Sequence, residues 1–502
     1  PAAFLAASAT WSGSNKSTSM ENRFLWLLWG ADAGGVILMS TVDHAQASGV
    51  EGFFEAGGDD YHHAAINGAL ITDRLTGSVS LAQLETDGFN AREIDAIDPD
   101  RDGYENTSAH AALRVQISPS LSLGLAATRL SGDNDYDACY DTLSFALIHD
   151  CEDDYEQEAW RASARWSTDT HSMELSFASS DTERAFYSAA SLAYQTRGET
   201  DTTSLVGAWQ IGEATRLTYG FDHESQSLTD NSSDRSRDNT GIYLEIRQQF
   251  DSGALTAGWR HDDNEDFGTR NSWRVSARHA LPGIARDWLV RAAIGTGFRA
   301  PSLYEMAYNE GPFSYPPASG AVLTEETSEG WEVGLVGSVG KLGVELIWFD
   351  QQIEDAIVFD LASYSGYIQS PGTSTAEGLE LIANIPLSEN WSLEGNFTWL
   401  DATEQNGTDR PYRPEESGQM SLLWSNSQWL TRLTAHHTGK AVDPFMVAID
   451  ETFTLDFTAR WAASARWSLE ARILNLTDST DQRLPGYYVP GITVYAGVRL
   501  SL

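Results

Sequence analysis

The sequence predicts an all-β chain folded as a closed antiparallel transmembrane β-barrel, with short periplasmic turns and long extracellular loops. Three observations predict it. Apolar and polar residues alternate through about 22 segments of roughly 9 to 13 residues, the length a tilted strand needs to cross a bilayer. The connections between these segments alternate short with long, which gathers the long ones at one rim. Finally, the longest apolar stretches, Phe24 to Trp29 and Val36 to Met39, are too short to span as helices, and mean hydropathy is −0.33. A strand that turns one face to lipid and the other to a lumen keeps such a hydrophilic average while remaining suited to a membrane.

The alternation is explicit along the chain. In GALTAGWR, Leu255, Ala257 and Trp259 share one face, while Thr256, Gly258 and Arg260 share the other. KLGVELIW places Leu342, Val344, Leu346 and Trp348 together, and NWSLEGNFTWL does the same with Trp391, Leu393, Phe397 and Trp399. Gly258, Gly334 and Gly395 fall inside such runs. Short turns are predicted at 119–120, 167–171, 211–215, 251–253, 338–340, 425–428 and 462–465. Long loops are predicted at 85–107, 131–156, 182–201, 225–238, 299–327, 401–414 and 476–491. A soluble all-β fold such as a propeller also has many short strands, but no fixed repeat of blade length is present.

Composition narrows function. The 72 acidic residues against 32 basic ones leave a formal charge of −40, which repels a phosphate backbone and argues against a nucleic-acid partner. The 17 Trp, 18 Tyr and 19 Phe suit the aromatic girdles of a membrane barrel. No GxSxG elbow, HExxH or paired Cys metal motif occurs, so the reading is not an enzyme. His62–His63 and His436–His437 are adjacent in strand patterns and point to opposite faces, a poor arrangement for a shared metal.

Several motifs carry a resemblance. GTGFRAPSLYEM (295–306) is similar to a strand-end motif of TonB-dependent outer-membrane receptors, and LTEETSEGWEVG (323–334) keeps their pattern at Leu323, Glu326, Ser328, Glu332 and Gly334. AEGLEL (376–381) with WSLEGNFTWLDA, and the C-terminal NLTDSTDQRLPGYYVPGITVYAGVRLSL, also resemble that family. Residues 25–502 are covered. Within the family, DPDRDGY (98–104), RDNTGIYL (237–244) and HDDNEDFG (261–268) resemble the cobalamin (vitamin B12) receptor type. The resemblance implies a monomeric receptor or transporter in the outer membrane of a Gram-negative bacterium, surrounded by lipid and lipopolysaccharide, with cobalamin or a similar large nutrient as cargo. Haem receptors share the FRAP element and are the nearest alternative within the family, and a siderophore- or haem-type receptor barrel is the other cargo reading. Haem receptors also use a loop histidine near that element, and none lies between Arg299 and Thr327.

Two acidic loops stand out. Asp98, Asp100 and Asp102 alternate on one, while Asp133, Asp135, Asp137, Asp150, Asp153 and Asp154 lie on the next. Ca²⁺ takes six to eight oxygen ligands, so converging carboxylates suit it. The resemblance implies calcium on Asp100, Asp102, Tyr136, Asp137 and Asp150, with Asn90 where relatives can carry Asp. The other reading is a solvated acidic surface. Cys139 and Cys151, the only two cysteines, bracket part of the same loop and read as a disulfide, the alternative being two free thiols.

The expected organisation is a segment of unclear origin at 1–28, a remnant of a plug-domain end at 29–45 (WGADAGGVILMSTVD resembles such a strand), and the barrel at 46–502. On that reading most of the plug is missing. TonB would then engage only if a plug is supplied, and a passive pore without energy coupling is the second functional class.

Overall fold

The computed structural model describes residues 48–92, 101–281 and 288–502. The segments at 1–28 and 29–45, and Asp98 and Asp100 of the first acidic loop, lie outside the described residues. From Gly49–Gly57 to Thr493–Ser501, 22 strands form one antiparallel sheet in which chain neighbours pair. The first strand closes on the last with Glu51 opposite Ser501 and Gly57 opposite Tyr495. Closure leaves no open edge, the condition for β-structure in lipid, where an unpaired N–H has no water to bond. No helix among the described residues is long and apolar enough to cross a membrane.

Side chains sort as the alternation requires. Leu255, Trp259, Leu346, Trp348, Trp391 and Trp399 are exposed on the outer face, together with Ile66, Leu81, Leu125, Ile242, Leu244 and Ile246. Tryptophan forms two tiers on that face. Trp166, Trp209, Trp391, Trp429 and Trp467 sit beside short turns, and Trp160, Trp259, Trp273, Trp348 and Trp399 sit farther up their strands. An amphipathic indole settles at each membrane–water interface, so the tiers bracket the apolar band. Inside, the seam is held by ions: Arg499 reaches Glu51 at 2.6 Å and Glu470 at 3.0 Å, and Arg472 reaches Glu55 at 2.7 Å. Gly57 is required here, because a Cβ would stand 2.2 Å from the Tyr495 ring that Arg472 covers.

The turns follow the sequence closely at the periplasmic rim and less so opposite. Residues 119–120, 168–170, 212–214, 251–252 and 426–428 are tight turns. Gly258, Gly334 and Gly395 lie inside strands. On the other rim, loops at 300–325, 404–415 and 475–492 match expectation, and further loops occupy 355–372 and 439–451. The long loops predicted at 182–201 and 225–238 are corrected. His171–Ser188 and Ser191–Ile211 are joined by Ala189 and Ala190 alone, and Thr215–Asp230 turns into Asp234–Phe250 within three residues. Likewise strand pairing extends to Phe89 and resumes at Asp102 around the first acidic loop, and the second acidic loop shrinks to 137–150. Above the lipid both faces of a hairpin are wet, so apolar alternation vanishes. The backbone ladder and cross-strand ion pairs such as Arg197 with Asp181 and Glu183 nonetheless continue.

Candidate functional site

The motif-bearing residues converge at the extracellular rim. Strand Leu289–Arg299 ends at Arg299, buried Pro301 turns the chain, and Ser302 caps helix Leu303–Glu310. The cap is reciprocal: Ser302 accepts from the Glu305 N–H, and the Glu305 carboxylate accepts from the Ser302 N–H. Arg299 then does two jobs with one guanidinium. Its Nη1 donates to both Glu305 oxygens at 3.1 Å, while Nε and Nη2 reach the two oxygens of Glu326 at 2.7 and 3.2 Å. Glu326 Oε2 also accepts from the Ile357 N–H at 2.9 Å. One ion cluster therefore ties a strand end, a helix start, the next strand and the loop beyond it.

The other two motifs join this cluster. Arg237 donates to the Pro301 carbonyl at 2.7 Å and to Gln226 at 2.6 Å, and its guanidinium lies over Phe267. Asn239 donates to Asp262 at 3.2 Å, and Arg260 bridges Asp262 and Asp222, each within 2.7 Å. Asp262 is almost wholly buried, so its charge is tolerable only with these partners. The spacing of RDNTGIYL and HDDNEDFG on consecutive strands thus builds a floor beneath the FRAP turn.

Above the floor stands an aromatic surface. Tyr308, Phe359 and Tyr367 meet edge to face with centroids 5.3 to 5.7 Å apart, and Tyr304 joins Tyr367 at 6.3 Å. Asn309 locks the helix to the small hairpin Ile357–Phe359 and Tyr367–Gln369 by bonding both the C=O and N–H of Tyr367 at 2.7 and 2.8 Å. The hairpin's turn is set by Asp360, whose carboxylate accepts from the Ser363 and Ser365 hydroxyls and from the Ala362 and Ser363 amides. Those hydroxyls, Ser363 first, hold Asp360 below the usual carboxylate range. Tyr304, Tyr364, Tyr315 and Phe313 remain exposed. Phenolic rings fixed by an ion cluster offer flat contact area and hydroxyl groups to a large, partly apolar solute.

The acidic side of the rim lies on neighbouring strands. Asp102 opens strand Asp102–Ser118 and accepts from the Ala91 N–H at 2.6 Å, Tyr136 ends Leu121–Tyr136, and Asp150 immediately precedes Cys151–Ser167. Tyr136 and Cys151 are register partners. Asp102, Tyr136, Asp137 and Asp150 are thus gathered at one end of three consecutive strands. The Asp137 side chain is buried and engages His149 Nδ1 at 3.1 Å, whereas Asp150 is exposed. Among the described residues, no group of three or more His, Cys, Asp or Glu is arranged to hold a metal ion. Below these residues, like charges face each other in register: Glu85 opposite Glu105, Glu105 opposite Asp133, Asp133 opposite Asp154, and Asp135 opposite Glu152. Cys139 and Cys151 are joined as a disulfide with Cα atoms 6.0 Å apart. Ser188 donates to the Tyr140 carbonyl at 2.8 Å and fastens the bridged hairpin to the adjacent strand.

Arg237, Arg299 and Glu326 lie within the sequence motifs, but the sequence alone assigns them no role, and neither the aromatic surface nor its helix is among the expectations drawn from it. A signal for the helix was present: Ser302 followed three residues later by Glu305 is a capping box. The aromatic residues span 304 to 367 and no local spacing links them.

Residues 63–476 match the family described as TonB dependent receptor-like, beta-barrel. The chain is 23% identical over 490 residues to the vitamin B12 transporter BtuB of Photobacterium profundum, covering 93% of this chain and 77% of that protein. It is 24% identical to the protein of the same name from Vibrio vulnificus, over 91% and 73% of the two chains. Among solved structures it resembles the siderophore receptor PirA of Acinetobacter baumannii, with a TM-score of 0.77 and 14% identity over 94% of this chain and 83% of that one. The copper transporter OprC gives 0.76 and 15% identity, over 91% and 80%.

Proposed function

The chain belongs to the TonB-dependent receptor-like β-barrel family of outer-membrane receptors and transporters, and from that premise we propose that its cargo is cobalamin or a similarly large nutrient. The observation that carries this reading is the similarity to proteins named vitamin B12 transporters across more than nine-tenths of the chain. The rim supports it. Two of the three stretches that resemble the cobalamin receptor type act together: the Arg237 and Asp262 segments brace the turn that carries the aromatic surface. A corrin-sized solute with amide edges and a flat body suits aromatic contact area ringed by hydroxyls.

Titrating cyanocobalamin into the purified chain in detergent, read by quenching of tryptophan fluorescence, tests the proposal. Saturable quenching that ferric enterobactin and haem do not displace supports it. Saturation by a ferric siderophore with no response to cyanocobalamin overturns the cargo assignment and leaves the family intact.

We also propose that calcium orders the acidic side of the rim, through Asp102, Tyr136, Asp137 and Asp150 together with Asp100. The donor chemistry fits a hard cation, being carboxylates and a phenol oxygen, and the facing carboxylates below would gain from a nearby positive charge. When bound, calcium would supply a multidentate crosslink between the two loops. Calorimetry with Ca²⁺ should show heat that Asp100→Ala with Asp137→Ala abolishes; a parent protein without heat rejects the site.

A further inference from the structure

We propose that the periplasmic end of the lumen wall carries an oxyanion-binding cradle of arginines, suited to a phosphoryl-class anion. This goes beyond the cargo reading and does not rest on it. In a chain of formal charge −40, a cavity of about 380 Å³ on the barrel wall is lined by Arg216, Arg247, Arg274, Arg278 and Arg291. That volume lies within the range of small-molecule sites. The residues are far apart in sequence, and register alone assembles them. Arg216 is directly opposite Arg247, and Arg278 directly opposite Arg291. Arg216 follows the short turn 212–214 and Arg247 precedes 251–252, while Arg278 and Arg291 lie near the ends of the paired strands Gly268–Ala280 and Leu289–Arg299.

Their faces are fixed by the alternation. Ile242, Leu244 and Ile246 are exposed to the lipid side, so Arg247 points to the lumen; Trp273 and Val275 do the same for Arg274 and Arg278. Small side chains, Ala254, Thr256, Ser276 and Ala293, form the floor between the long ones. The wall is therefore concave, with a hydroxyl-bearing base and a guanidinium rim.

Charge is not balanced within it. Three carboxylates line the same cavity, Glu245, Glu332 and Glu345. Arg291 pairs with Glu345 at 2.6 Å, and Arg274 approaches Glu332 at 3.7 Å. Among the described residues, Arg216 and Arg247 have no carboxylate within ion-pairing distance, and Arg278 bonds the Gln249 amide oxygen at 3.4 Å. The Arg291 Nε is buried and donates to no acceptor among the described residues. Like charges directly opposite on a sheet repel. An oxyanion seated between Arg216 and Arg247 would relieve that repulsion and accept from their planar forks, a geometry that guanidinium groups match well.

The test uses inorganic pyrophosphate as the probe, titrated calorimetrically into the 502-residue chain in zwitterionic detergent at low salt. The parent protein should bind it saturably. Arg216→Gln with Arg247→Gln should weaken binding by about tenfold or more, the loss expected for two charge-assisted contacts. Arg432→Gln, which removes a different arginine held by Glu394, should leave it unchanged. Barrel folding is checked by heat-modifiable electrophoretic mobility, and the single variants Arg216→Gln and Arg247→Gln replace the double one if it fails to fold. The proposal is overturned if the parent gives no saturable heat, if sodium chloride of equal ionic strength gives the same heat as pyrophosphate, or if folded variants bind undiminished.

Discussion

Glu326→Gln isolates the ion cluster from the barrel that carries it. The Glu326 side chain is 10% exposed and receives both forks of Arg299 as well as the Ile357 amide. Removing one partner of a buried pair typically costs ~3 to 5 kcal/mol, because the survivor is left desolvated. Arg299 is 32% exposed and keeps Glu305, so part of that penalty is returned by water and by the second carboxylate. A loss of about 2 kcal/mol is therefore expected. The loss should fall on the loops, since the ladder from Thr327 to Val339 against Leu342–Glu354 is untouched. Hydrogen exchange reads this directly: protection at the Ile357 amide should fall by about thirtyfold, at a factor of ten per 1.4 kcal/mol. Amides at Gly330 and Trp331 should not change. Unaltered protection at Ile357, or equal acceleration throughout the barrel, would refute the idea that Arg299 and Glu326 hold the rim together.

Two further outcomes follow from the loops. Replacing Cys139 and Cys151 by Ser opens a crosslink spanning 12 residues and should cost the loop about 3 kcal/mol in the chain-entropy account. Chymotrypsin should then cut after Phe145, which is 74% exposed, faster than in the parent, while barrel mobility on gels is unchanged; equal cleavage rates would contradict this. Asp360 lies below its ordinary value of 3.8 because the Ser363 and Ser365 hydroxyls favour its anion. Its contribution to ordering the 355–372 loop is thus present above that value and is lost as pH falls through the lower folded one. Asp360→Asn should speed exchange at the Ala362 and Ser363 amides at neutral pH, and in the parent the same change should appear only in acid. A transition near neutrality would contradict the assignment.

The barrel was legible because its strands cross a medium that forces a period of two: Leu255, Ala257 and Trp259 can face only outward if Arg260 faces in. Where the medium ends the signal ends. Strand Ser191–Ile211 continues through Gly198, Glu199 and Asp201 with polar groups on both faces, so its upper half reads as loop although every residue from Tyr194 to Ile211 remains paired. The rim chemistry is a different case. Arg299 meets Glu326 across 27 positions, and Arg216 meets Arg247 only because a two-strand register places them opposite. Local spacing carries no trace of either. The acidic residues were visible as a composition, yet the Asp137 contact with His149 and the exposure of Asp150 depend on how the 137–150 hairpin folds.

Equilibrium dialysis of radiolabelled cyanocobalamin against the purified chain tests the central claim most directly. The account predicts saturable uptake approaching one molecule per chain, weakened by Glu326→Gln as the aromatic surface loses its support, and undisturbed by excess ferric siderophore. Uptake that rises linearly without saturation, or that a ferric siderophore displaces, would contradict it.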